Sequence, residues 1–185
     1  MSSAHSAVLA ALYTGDRDGA RERAGSHRLT LPELAAFGDL QPIADRVAQQ
    51  PDELQEFSAD GWTALHLACH FGYPAAVVRL LRSGASHVLR SRNEQGNTPL
   101  HAAIAGRCEM PVITALLAAE CDPLAEDANG YVPLHLAASR GDLAVCELLI
   151  ACGADRSTPT RDGRRAVDLA REHLHLHLAT ILTPE

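Results

Sequence analysis

Three histidines, His66, His101 and His135, recur along the chain in the setting L-H-x-A. Imidazole near neutral pH can move a proton or bind a transition metal, so the first question is whether these groups converge. A second set, His173, His175 and His177, alternates with Leu174, Leu176 and Leu178 near the C-terminus. On a helix His173 and His177 would share a face, with Glu172 beside them, and His175 would not. That face is the one candidate for a transition-metal site. His66 and His70 also have i,i+4 spacing, but Leu67, Ala68 and Cys69 lie between them, so the H-E-x-x-H zinc motif is not formed.

Five cysteines, Cys69, Cys108, Cys121, Cys146 and Cys152, are odd in number and contain no C-x-x-C. That fits neither a disulfide framework nor a zinc pattern, and a reducing cytoplasm is expected. Cys69 and Cys146 stand where a small packed residue would serve, whereas Cys108 is the candidate for oxidation. No G-x-S-x-G, phosphate loop or G-x-G-x-x-G is present, and Ser139 and Cys146 have no evident oriented base. No catalytic residue and no cofactor are expected.

The elements that would carry these groups are helices. Hydrophobic residues make up 46% of the 185, yet aromatics only 4%. Ala, Leu and Val dominate, which suits closely packed helices better than a β-sandwich. All 16 basic residues are Arg, a codon pattern that points to a bacterial source. The net charge of −7 argues against nucleic acid, which calls for a basic stripe. The one local basic cluster, Arg161, Arg164 and Arg165 beside Asp162, reads as a solvated turn. No run approaches the roughly 18 apolar residues of a membrane span. The apolar stretch 7–13 lacks a basic flank and reads as a helix rather than a signal peptide.

Self-similarity organises the chain. G-W-T-A-L-H-L-A at 61–68 aligns with G-N-T-P-L-H-A-A at 96–103, G-Y-V-P-L-H-L-A at 130–137 and G-R-R-A-V-D-L-A at 163–170. The leading glycines are 35, 34 and 33 residues apart. Thr63 and Thr98 suit a helix N-cap, Pro99 and Pro133 its first turn, and Gly84 and Gly153 the end of a second helix. The unit beginning at Gly96 departs from the pattern. It has Glu120-Cys121-Asp122 where its neighbours have Gly-Ala, and about two extra residues at 107–111. A longer or distorted inter-helix loop is predicted there. Upstream, residues 31–40 read as a first helix and turn, Ile43, Val47 and Leu54 mark a second, and 7–24 form a further degenerate pair.

This pattern resembles the ankyrin repeat, whose period is about 33 residues and whose signature is T-P-L-H-x-A. The clear resemblance covers residues 59–182, and it looks like that of small bacterial ankyrin-repeat proteins. The fold expected is an all-α solenoid with short β-hairpin-like fingers and degenerate N-terminal capping helices. Its expected divisions are 1–29, a helix pair or cap; 30–58, a divergent first repeat; 59–95, 96–129 and 130–162, three repeats; and 163–185, a C-terminal capping repeat. Histidines repeated once per unit would lie about 8–10 Å apart, too far to share a zinc ion whose ligands lie about 2 Å from it. They are read instead as bonded to backbone at the finger–helix junction, with Asp168 in that place in the last unit.

The resemblance also implies a binding surface along the finger tips and the exposed ends of the first helices. The residues that fall there are Trp62, His70, Phe71, Asn97, Tyr131, Ser139, Arg140 and Arg164. The reading is a monomeric, cytoplasmic, non-catalytic scaffold, adaptor or inhibitor in type, that holds a protein partner and neither nucleic acid nor membrane. The alternative is a metal- or redox-responsive regulator using the C-terminal histidines or Cys108.

Overall fold

The computed structural model describes residues 3–25, 28–106 and 108–183. Among them twelve α-helices run in antiparallel pairs. The first pair is α1 (Ser3–Tyr13) and α2 (Arg17–Ala24), followed by α3 (Leu31–Phe37) and α4 (Leu40–Gln49) with a short 3-10 turn at Pro51–Gln55. Four further pairs follow: α5 (Ala64–His70) with α6 (Pro74–Arg82), α7 (Pro99–Ala105) with α8 (Met110–Ala118), α9 (Pro133–Arg140) with α10 (Leu143–Ala151), and α11 (Ala166–Glu172) with α12 (Leu176–Leu182).

The first helices of successive units pack closely on one another, α3 on α5, α5 on α7, α7 on α9 and α9 on α11, and among the second helices α4 meets α6 and α6 meets α8. The sequence dictates an asymmetry between the two sets. In α5, Ala64 through Cys69 are all buried, so that helix faces neighbours on every side, whereas α6 buries only Ala76, Val77 and Leu80. A helix apolar all round must lie inside, and one with a single stripe lies at the surface.

A finger precedes each first helix from α5 onward, and one backbone bond closes each finger. Ser58 N–H donates to the Trp62 carbonyl at 2.8 Å, Ser91 to Asn97 at 2.7 Å, Asp127 to Tyr131 at 2.8 Å and Thr160 to Arg164 at 2.8 Å. Neighbouring fingers are joined from Arg92 N–H to the Gly61 carbonyl at 2.8 Å, Ala128 to Gln95 at 2.8 Å and Arg161 to Asn129 at 3.1 Å. Regular strands do not develop among the described residues; Phe57–Thr63 and Pro159–Arg165 form isolated bridges. The fingers are loops tied by ladder-type bonds.

The divergent unit behaves as its sequence demands. Four residues separate α7 from α8, against two between α9 and α10; Arg107 lies outside the described residues. Gly106 has φ −75, so its role is not conformational. A Cβ there would lie 1.9 Å from the His70 carbonyl oxygen, and only glycine allows the two units to approach so closely. Glu120 takes the left-handed conformation, φ 61, where the neighbouring units have Gly84 at φ 94 and Gly153 at φ 97.

Candidate functional site

Each first helix is started by the residue three places after its N-cap. In α5, His66 Nδ1 accepts from the Thr63 hydroxyl at 2.8 Å, and its Nε2 donates to the Asn97 carbonyl of the next finger at 2.9 Å. His101 does the same with Thr98 at 2.7 Å and the Tyr131 carbonyl at 2.9 Å. His135 accepts from the Val132 N–H at 3.0 Å and donates to the Thr158 carbonyl at 3.0 Å. Bonding on both nitrogens fixes the neutral tautomer with hydrogen on Nε2. Burial lowers the pKa of His66 to about 4 and lowers those of His101 and His135. With both nitrogens committed to backbone and neighbour, these imidazoles have neither a lone pair nor a proton for a substrate.

The same place is filled by carboxylates at either end of the array. Asp168 Oδ2 accepts from the Arg165 N–H at 2.9 Å. Glu33 Oε2 accepts from the Thr30 N–H and hydroxyl, each at 2.8 Å. A carboxylate performs the capping half of the histidine's task but cannot donate to a following finger. Asp168 is instead flanked by Arg165 at 3.6 Å and Arg171 at 3.9 Å.

The C-terminal histidines do not share a helical face, which corrects the expectation from spacing. His173 is the C-cap of α11, Leu174 turns left-handed with φ 63, and His175 is the N-cap of α12. The helix assumed to carry His173 and His177 together is broken between them. His175 Nε2 donates to the Ser139 carbonyl at 3.2 Å, tying the last unit to the one before. Among the described residues no group of three or more His, Cys, Asp or Glu is placed to hold a metal ion.

Cys108 serves in a similar tie. Its thiol donates to the Cys69 carbonyl and, at 3.5 Å, to that of His70. Burial pushes its pKa up to about 11, so it stays a thiol, which is the unreactive form. The metal- or redox-responsive reading therefore finds no support in either of its two parts. Of the local arginine cluster, Arg164 pairs with Asp162 and Arg165 with Asp168, as a solvated turn requires.

The eight residues expected at a binding surface differ in exposure. Trp62 is 8% exposed and Asn97 9%, so these two belong chiefly to the framework. Trp62 stands edge-on to His70 at 5.2 Å between ring centroids, and Asn97 holds Ser91 Oγ through its N–H at 2.8 Å. His70, Phe71, Tyr131, Ser139, Arg140 and Arg164 are half-buried, in contact with the fold yet open on one side. Arg164 lies over the Tyr131 ring at 5.7 Å and pairs with Asp162 at 2.7 Å and Glu172 at 3.1 Å. A cleft of about 460 Å³ opens there, lined by Asn129, Tyr131, Leu136, Arg161 and Arg164 among others.

One neighbour of His70 and Phe71 was missed. Tyr13, at the end of α1, stacks on Phe71 at 5.3 Å and meets His70 edge-on at 5.5 Å. Its hydroxyl donates to Asp60 Oδ2 at 2.6 Å, 47 residues away. Nothing local in the sequence signals this, because Tyr13 lies two units before the residues it touches.

Comparison with known proteins accords with this architecture. The family model for ankyrin repeats in three copies matches residues 33–127 and 107–185. The chain is 40% identical over 77 residues to the RelA-associated inhibitor of Mus musculus, covering 41% of this chain and 9% of that protein. It is 34% identical over 130 residues to the NF-kappa-B inhibitor alpha of Homo sapiens, covering 69% of this chain and 39% of that protein. Over 143 residues it is 29% identical to the tyrosine-protein kinase Shark of Drosophila melanogaster, covering 77% of this chain and 15% of the kinase. The chain thus spans less than half the length of these relatives. All three are animal proteins, and they do not bear out a bacterial resemblance.

Proposed function

The chain belongs to the ankyrin-repeat family, and on that premise we propose that it is a non-catalytic scaffold, adaptor or inhibitor in type, which holds a protein partner along its finger and first-helix groove. The observation that carries this reading is the division of labour between repeated and varied positions. His66, His101 and His135, the groups able to do chemistry, are buried and bonded on both ring nitrogens. His70, Phe71, Tyr131, Ser139, Arg140 and Arg164 differ from unit to unit and remain half-open. A rigid array with a constant frame and a variable rim is suited to recognition, and Tyr and Arg are enriched among residues that dominate binding energy.

Two of the relatives are named as inhibitors, one of NF-kappa-B and one associated with RelA. Inhibition by occlusion needs a surface and no chemistry. The cytoplasm is the compartment we assign, on the unpaired cysteines; none of the described helices is long and apolar enough to cross a membrane.

The test is capture of partners by the purified chain from an extract of its source cells. It is compared with a variant in which Phe71, Tyr131, Arg140 and Arg164 are all replaced by Ala, with circular dichroism confirming the fold. Specific capture lost in the variant is expected. Equal capture by both would overturn the assignment of the groove.

A further inference from the structure

Asp60 and Asp162 are equivalent residues in different fingers, each immediately before the finger glycine. Their local geometry is the same. The Ser58 hydroxyl donates to Asp60 Oδ1, and the Thr160 hydroxyl to Asp162 Oδ1. Their surroundings differ in their charged partner. Asp162 pairs with Arg164 at 2.7 Å, and that guanidinium lies over the Tyr131 ring at 5.7 Å. Asp60 lies beside an aromatic surface too, since its Oδ2 takes the Tyr13 hydroxyl and Tyr13 stacks on Phe71. Yet among the described residues no Arg pairs with Asp60 and none lies over Tyr13 or Phe71.

Elsewhere the fold repeatedly places an arginine over a ring: Arg17 over Tyr73 at 5.7 Å, Arg92 over Phe57 at 4.0 Å, and Arg164 over Tyr131. Among the described residues the Tyr13–Phe71 stack has no arginine over it, and Tyr13 is 43% exposed. Burial lowers the pKa of the neighbouring His70 imidazole and so disfavours its charged form.

Taking the groove as the partner-binding face, we infer that its N-terminal end receives an arginine side chain of the partner, the guanidinium laid over the Tyr13–Phe71 stack and bonded to Asp60. A guanidinium matches both components, a π face and a carboxylate, in a way a neutral side chain does not. Asp60 can accept it without releasing Tyr13 or Ser58, because a carboxylate has about four lone-pair sites. The net charge of −7 favours encounter with a basic segment. The N-terminal helix pair is on this view part of the binding surface and more than a cap.

The experiment selects a displayed random-peptide library on the intact chain and measures enriched peptides, made synthetically, against native protein, Asp60→Asn and Phe71→Ala. Enriched peptides are expected to share an arginine. Replacing it with citrulline, or Asp60 with Asn, should each weaken binding about tenfold, and the two together little more than either. Enriched peptides without arginine, or binding lost in Phe71→Ala but unchanged by citrulline and by Asp60→Asn, would overturn the subsite while keeping the groove. Failure of any peptide to enrich, or binding indifferent to Phe71→Ala as well, would overturn both. Circular dichroism and emission of Trp62, the one tryptophan, report whether Asp60→Asn is folded; if it is not, the citrulline comparison against native protein decides.

Discussion

His101 Nε2 donates to the carbonyl oxygen of Tyr131 at 2.9 Å, so the imidazole that joins two repeats is bonded to the backbone of a half-buried residue of the next finger. The frame therefore sets the position of the rim directly: the finger carrying Tyr131 is held from beneath by the preceding unit. Under the proposed function, residues placed this way need little ordering when a partner arrives, which favours affinity.

Replacing His101 with Ala removes both bonds, leaving the buried Thr98 hydroxyl without its acceptor and the Tyr131 carbonyl held by the Asp127 N–H alone. A loss of about 3–4 kcal/mol is expected, from unmet polar groups and the cavity together. Asp168→Ala removes a capping bond and two long, partly exposed ion pairs, and should lose about 1 kcal/mol. Urea unfolding of the two variants checks the ratio, and equal losses would contradict the double role given to the histidine.

Acid should destabilise the array through the same groups. The histidine pKa is about 6.5 in the unfolded chain, whereas burial lowers that of His66 to about 4 in the folded one, with the same direction for His101 and His135. The unfolded state then binds more protons, so this stability is fully present above about pH 6.5 and is lost as pH falls toward the folded value. His66 alone accounts for a loss of up to about 3 kcal/mol. Urea midpoints measured from pH 7.5 to pH 4.5 should fall, and His66→Gln should flatten the curve.

Backbone strain predicts substitutions of opposite sign. Glu120 and Leu174 hold left-handed conformations, φ 61 and φ 63, which disfavour any side chain by roughly 1–2 kcal/mol. Glycine relieves this but loses more chain entropy on folding, so Glu120→Gly and Leu174→Gly should each stabilise by about 0.5–1 kcal/mol. Gly106→Ala should destabilise by about 2 kcal/mol or more, because the added methyl meets the His70 carbonyl at 1.9 Å. Thermal melts of the three variants separate the two mechanisms.

Cysteine labelling tests the role given to Cys108. Its thiol is half-buried, bonded to the α5 carbonyls and raised to about 11, whereas Cys152 is exposed. Iodoacetamide at pH 7.5 followed by mass spectrometry should modify Cys152 well before Cys108. Cys108 reacting first would reopen a redox role.

The frame was legible because each framework residue performs a task defined within a few positions of itself. Thr63 and Thr98 cap helices, Gly84 and Gly153 turn left-handed after them, and the spacing of His66, His101 and His135 states the repeat. Even the irregular loop after α7 could be read by comparing one unit with the next. Glu33 shows the limit of pattern matching: it fills the histidine's place in the α3 unit, yet the residues around it had drifted too far for the equivalence to be seen.

The groove was legible only in outline. Trp62 and Tyr131 follow equivalent glycines, but packing against His66 and His70 buries the first and leaves the second half-open. The helix expected across His173–His177 is interrupted at Leu174, with no glycine or proline there to announce it. Tyr13 meets Asp60 across the intervening α3 unit, 47 residues along the chain. By itself, then, the sequence determined the repeat, the caps and the chemistry that is absent, since these rest on short-range geometry repeated in register. Tertiary structure alone decided which aromatic and charged groups share a surface, because that depends on contacts between residues dozens of positions apart, whose burial no local pattern encodes.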